Sequence, residues 1–211
     1  MSEPVTKSTA ERVLDVAEAL FAEKGYAATS LGDVADRVGI RSPSLYNHFK
    51  NKEALYSAVV DRLLEVFNQP LHELLQGGAP TEKLALAWQA KLVRLHIQNP
   101  NLARILQHAA LSGGPQSSDL FERFFNPLLN SGNNLPADTA SILLRNPKLF
   151  PWAVMAMMNL LISYVTMAPI YRQVLGIDPL TEEAIDMQVA FLNELTRAVW
   201  TFKGEPPEPA A

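Results

Sequence analysis

Between Arg41 and Lys52 the chain reads RSPSLYNHFKNK, a polar stretch around two apolar residues. Leu45 and Phe49 stand four apart and share one helical face, while Ser44, Asn47 and His48 fall on another. Arginine forks toward two acceptors, asparagine offers a donor beside an acceptor, and serine serves as either. Side chains of this kind on one exposed face can recognise hydrogen-bonding edges. Arg37, Arg41, Lys50 and Lys52 lie within the same neighbourhood with no acid among them. A patch of that size is enough for phosphate contacts, because charge acts locally over a Debye length of about 8 Å.

Other chemistry finds little support. The chain has no cysteine, which removes disulfides, thiolate metal sites and thiol nucleophiles. His72, His96 and His108 stand at neither i, i+3 nor i, i+4 from one another, and no carboxylate completes a compact set, so no metal is expected. There is no glycine-rich phosphate loop, no G-x-S-x-G and no local carboxylate pair. The expectation is a protein that is not an enzyme and needs no cofactor.

The elements that hold the polar stretch are legible from caps and periodicity. Ser8 to Glu11 forms a capping box, and Val13, Leu14, Ala17, Leu20 and Phe21 stripe a helix that Gly25 ends. Ser30 with Asp33 forms an imperfect capping box for a second helix, carrying Leu31, Val34, Ala35 and Val38, and Gly39 stops it. Ser42-Pro43 opens a third, with serine as the cap and proline at the first helical position. Asn51 caps a fourth, striped by Leu55, Val59, Leu63 and Phe67 and read as unbroken to about Leu75. Helix, glycine turn and short two-faced helix make a helix-turn-helix, whose second helix enters the DNA major groove.

Beyond the break at 76–80 the same signals predict helices over 81–98, 101–111, a segment holding Leu120 to Leu128, a short one near 137–144, a long one over 148–175 and a last one over 181–202. No period-two strand pattern occurs, so the fold class is all-α, with nine or ten helices. The expected organisation is a headpiece over 1–50, a connector helix over 51–75, a body over 76–203 and a disordered, proline-rich tail over 204–211.

The run from Thr29-Ser30 through Asp33-Val34-Ala35 and Val38-Gly39-Ile40 to Leu45-Tyr46, His48-Phe49-Lys50, Lys52-Glu53 and Leu55 resembles the DNA-binding headpiece of the tetracycline-repressor (TetR) family. The resemblance covers about the first 65 residues. It implies a homodimeric transcriptional regulator, usually a repressor, on a palindromic double-stranded DNA operator. Arg41, Ser42, Ser44 and Asn47 are the candidates for base edges. Matching family positions put Ser30, Tyr46, His48 and Lys52 on phosphates; Tyr46 also suits half-buried packing. Pro43 stands where many members have glycine, and it removes an amide from the helix start. Bulk charge does not argue for nucleic acid: 18 Lys and Arg face 22 Asp and Glu, a net charge of −4.

The resemblance further implies that the body senses a small molecule and that the last two long helices pair with those of a second subunit. Trp88, His96, Phe121, Phe125, Trp152, Met155, Met158 and Asn159 are the candidate lining; plain core is the alternative for each. The uncharged run from Leu149 to Tyr171 offers no counter-charge, which points to a largely apolar effector. That run has the length of a membrane span, but prolines near both ends and interior polar residues favour burial in a helical body. A cytoplasmic protein with no membrane partner is expected. The alternative is an all-helical small-molecule carrier or enzyme that retains a helix-turn-helix, and behind it an adaptor that binds protein through the same fold.

Overall fold

The computed structural model describes residues 7–76, 81–131 and 146–202. Among these residues ten α-helical segments and one π-helical turn account for all regular structure. They are α1 Thr9–Ala28, α2 Leu31–Val38, α3 Ser42–Tyr46, α4 Lys52–Gln76, α5 Glu82–Gln98, α6 Pro100–Ser112, α7 Pro115–Ser131, α8 Phe150–Thr166, α9 Ala168–Ile170 and α10 Glu182–Thr201. The helix expected near 137–144 and the tail over 204–211 lie outside the described residues.

Side-chain caps set five of the ten starts. Ser8 Oγ accepts from Glu11 N at 3.2 Å while Glu11 Oε2 accepts from Ser8 N at 2.7 Å. Ser30 and Asp33 close the same reciprocal pair, so aspartate completes the box despite its shorter side chain. Asn51, Thr81 and Thr181 accept from the amides of Ala54, Leu84 and Ala184. The cap expected from Ser42 does not form. Arg41 is the capping position, its carbonyl accepts from Ser44 N at 2.9 Å, and Ser42 is the first helical residue.

Two prolines change what the periodicity suggested. The helix expected over 148–175 breaks at Met167, and the segments Phe150–Thr166 and Ala168–Leu175 meet at 54°. Pro169 is the cause, since it has no N–H to return to the preceding turn and its ring crowds that turn's carbonyl. Helix α4 does run unbroken from Lys52 to Gln76, but Pro70 sits inside it. Pro70 leaves no mark on the helical periodicity, yet it takes one hydrogen bond out of this helix and is itself buried.

The chain divides into two compact units that do not follow chain order. The first comprises residues 1–64 with 101–120, and the second comprises 65–100 with 121–211. In the first, Val13, Ala17, Leu20 and Phe21 of α1 share a core with Val34 and Val38 of α2, Leu45 of α3, and Leu55 and Val59 of α4. Arg62 of α4 grips α1 through Asp15 at 2.8 Å and Glu18 at 2.5 Å, and Asn101 of α6 donates to Glu18 at 2.8 Å. Burial works against the Arg62 charge, but the two carboxylates outweigh it and hold its pKa above the ordinary arginine value. The second unit is built around α5, which packs on α8 and α10. Gln89 of α5 bonds Asn193 and Thr196 of α10, and Arg94 reaches Glu182 and Asp186.

Candidate nucleic-acid interface and ligand cavity

The polar stretch is positioned by one buried anchor. Leu45 is 1% exposed, and its carbonyl accepts from both His48 N and Phe49 N at 3.0 Å. Helix α3 spans only Ser42–Tyr46, with Asn47 as its C-terminal cap. Gly39 makes the turn before it in the left-handed region (φ 78°, ψ 36°), where a side chain would be strained. Arg12 of α1 donates to Val38 O at 2.8 Å, satisfying a carbonyl at the end of α2 and fixing α2 against α1. Nothing in the sequence signals that bond.

With Leu45 turned inward, Arg41, Ser42, Pro43, Tyr46, Asn47 and His48 are exposed and Ser44 is half-buried. Tyr46 is 54% exposed, so its ring is largely free of packing. The structure therefore brings seven of the nine predicted DNA-facing residues onto one short surface segment. The other two are occupied. Ser30 Oγ accepts from Asp33 N and donates to the Asp33 carboxylate at 2.8 Å, and that carboxylate repels phosphate. Lys52 Nζ donates to Tyr26 O at 2.9 Å and Ala27 O at 3.4 Å, and lies 4.3 Å from the Tyr26 ring centroid. It ties the start of α4 to the end of α1, a cation over a ring and at a helix C-terminus. Arg37 pairs with exposed Glu23 at 3.4 Å. Of the four cations in the patch, Arg41 and Lys50 are the two with neither an ion pair nor a side-chain hydrogen bond among the described residues.

The predicted ligand-lining residues separate. Trp88, His96 and Met158 face one cavity of about 20 Å³ in the second unit, with Phe67 and Asn68 of α4, Leu92 of α5, and Phe124 and Leu128 of α7. Phe121 and Phe125 stack on each other at 5.7 Å and do not line it. Trp152 is 68% and Met155 47% exposed, and Asn159 is exposed with them. The sequence pattern shows α8 apolar all round and therefore cannot separate its inward from its outward side; only the packing on α5 does. Phe67 and Phe124 are lining residues the sequence reading missed, because each fits an ordinary core stripe.

His96 is the unusual member. Its ring is 1% exposed and packs edge-on against Phe67 at 4.6 Å, and Nδ1 lies 2.9 Å from Leu92 O. Burial lowers its pKa from 6.5 to about 4, against a smaller opposing pull from the Leu92 carbonyl. Among the described residues no group of three or more histidine, aspartate or glutamate side chains converges as a metal site.

Comparison with known proteins agrees with this geometry. The family "Bacterial regulatory proteins, tetR family" matches residues 13–59, the span from α1 through the first turns of α4. Over that span the chain is similar to the DNA-binding headpiece of the TetR family. The transcriptional repressor BdcR of Escherichia coli is 28% identical over 117 residues, 55% of this chain and 59% of that protein. The repressor ComR of the same species is 46% identical over 57 residues, 27% of each chain. Matches thus span less than two thirds of these curated relatives. Fold likeness extends further. A putative fatty acid metabolism regulator of Clostridium perfringens aligns over 90% of this chain and 96% of its own, with TM-score 0.62 and 14% identity. The ketosteroid transcriptional regulator KstR2 of Mycobacterium tuberculosis aligns over 93% and 97%, with TM-score 0.57 and 21% identity. These relatives are named as regulators of transcription, not as enzymes or carriers.

Proposed function

We propose that the chain is a sequence-specific DNA-binding repressor of the cytoplasm, a homodimer released from a palindromic operator by a small, largely apolar effector. The observation that carries the reading is α3 itself. Leu45 is buried beneath it, while Arg41, Ser42, Tyr46 and Asn47 are exposed on a headpiece of matching sequence. Arg41 suits guanine and Asn47 adenine, and Ser42 and Ser44 serve either. Lys50 joins Tyr46 and His48 as the phosphate-holding set, in place of Lys52 and Ser30. Functionally, the division runs from the headpiece over 1–50 through the connector over 51–75 to a sensing and dimerising body over 76–203.

Dimerisation is supported by apolar side chains that one copy leaves in water: Trp152 and Met155 on α8, and Met187, Phe191 and Leu195 on α10. Among the described residues no single helix is long and apolar enough to cross a membrane. The effector response is supported by α4, a single helix whose first half belongs to the headpiece unit and whose Phe67 and Asn68 line the cavity. An effector that favours the DNA-incompetent state must be bound less tightly by the operator complex, by the same factor.

The test is selection of genomic fragments on the purified protein, followed by footprinting of the enriched sequence. Protection of a palindrome with half-site centres about one turn apart (~34–36 Å) or a multiple is the expected result. Enrichment no better than random DNA refutes the reading.

A further inference from the structure

Two residues that line the cavity of the second unit each carry a buried polar atom with no hydrogen-bond partner among the described residues, His96 Nε2 and Trp88 Nε1. Their chemistry differs, and the tautomer is fixed by the surroundings. The Leu92 carbonyl can only accept, so His96 Nδ1, 2.9 Å away, carries the hydrogen. In the neutral ring Nε2 is then a bare lone pair. The indole N–H of Trp88 can only donate. Everything else around the space is apolar or amide: Phe67, Leu92, Phe124, Leu128, Met158 and Asn68. Among the described residues no charged side chain lines it.

We infer that this cavity binds an uncharged, otherwise apolar ligand through a hydroxyl group that donates to His96 Nε2, with the Trp88 N–H open to an oxygen of the same molecule. The assignment rests on the effector-responsive reading above and names the chemistry of that effector. A carboxylate is excluded because the imidazole lone pair repels it and no cation offsets its burial. An ammonium is excluded because the lining has no carboxylate. An ether or alkane leaves Nε2 desolvated and unpaired, the costly case for a buried acceptor. The space of about 20 Å³ has room for the hydroxyl alone. The apolar remainder must part the lining, and Met158, an unbranched and adaptable side chain, is the residue suited to give way.

The test compares three probes of nearly equal size on the full-length protein by titration calorimetry at neutral pH: octan-1-ol, heptyl methyl ether and octanoate. Octan-1-ol is expected to bind about tenfold or more tighter than the other two, the cost of leaving one buried acceptor unmade. It alone should move the His96 Nε2 resonance in nitrogen-detected NMR of the imidazole. His96→Phe, which keeps a ring of similar shape, should bring octan-1-ol down to the level of the ether. Equal binding of alcohol and ether, tightest binding of octanoate, or discrimination that survives in His96→Phe overturns the inference. So does binding of none of the three, which would leave the cavity to one enclosed water. The wild-type comparison stands without any variant folding. Operator retention on the same preparation separates the two claims: DNA held without hydroxyl preference refutes only this inference, and octan-1-ol bound without DNA refutes only the repressor reading.

Discussion

Lowering the pH from 7.5 to 5.0 should destabilise the protein through His96, by an amount set by its burial. In the folded chain the ring stays neutral down to about pH 4, whereas in the unfolded chain it takes a proton near 6.5. Between those values the unfolded state binds more protons, so stability rises with pH. The contribution is therefore complete above pH 6.5 and is lost as pH falls toward 4. At 1.36 kcal/mol per pH unit, the 1.5 units between 6.5 and 5.0 amount to about 2 kcal/mol. The assay is urea unfolding of wild type and His96→Phe at several pH values across that range. The quantity of interest is the difference between the two proteins at each pH. Carboxylates held below their ordinary range, such as Glu73 beside Lys91 and Asp178 beside Arg172, also lose stability in acid. They are present in both proteins and cancel. Wild type should lose about 2 kcal/mol more than His96→Phe on going to pH 5.0. A difference that stays flat from pH 7.5 to 5.0 would show that the folded ring protonates freely, and the neutral, Nδ1-protonated tautomer would have to be abandoned.

Four further outcomes follow from the geometry. Arg41→Ala and Asn47→Ala should each weaken binding to the selected operator by ~1–3 kcal/mol and relax preference at one base pair, read by competition with single-base variants. Lys50→Ala should weaken binding evenly across sequences and reduce the salt slope by about one, whereas Lys52→Ala should act mainly on stability, lowering it by about 1–2 kcal/mol in denaturant titration. If Lys52→Ala instead flattens the salt slope at unchanged stability, its bonds to Tyr26 O and Ala27 O are not its main role. Gly25→Ala should cost ~1–3 kcal/mol, because φ is +78° there and a Cβ would sit 3.1 Å from His108 Nδ1; unchanged unfolding would refute the close approach. Inserting Gly-Ser-Gly after Asp61 should leave octan-1-ol binding intact yet abolish its effect on operator affinity, and coupling that persists would show that the signal bypasses α4.

The headpiece was legible in the sequence because its determinants are local. Caps at Ser8, Ser30 and Asn51, the glycine at 39, and apolar stripes at helical spacing act within a turn or two, and each is found where expected, whereas Gly25 kinks α1 with a left-handed φ of 78° and does not end it, the helix running on to Ala28. Ser42 failed as a cap for the same local reason: with Pro43 at the second helical position, the capping position moves back to Arg41. What was illegible is what depends on distant partners. The positive patch looked like four equivalent cations, but Lys52 turns to carbonyls about 25 residues away in sequence and Arg37 to Glu23, leaving Arg41 and Lys50. The candidate lining of α8 was chosen by residue type, yet a helix apolar on every side carries no record of its own inward face.

Pro70 bears on the signal path proposed for α4. A proline inside a helix costs about 3 kcal/mol or more and removes one bond of the ladder, so its place in an otherwise regular connector is not neutral. It stands between the headpiece portion of α4, clamped to α1 by Arg62 and Lys52, and the last turn of the helix. Phe67 and Asn68, the two α4 residues that line the cavity, lie just ahead of it. The missing bond is the one that Val66 O would have accepted, one residue before Phe67. A helix is softest where its ladder is incomplete. Displacement of Phe67 by a ligand against His96 would therefore act on α4 where its C-terminal end yields most easily, while the clamped N-terminal portion moves as a rigid piece with α1.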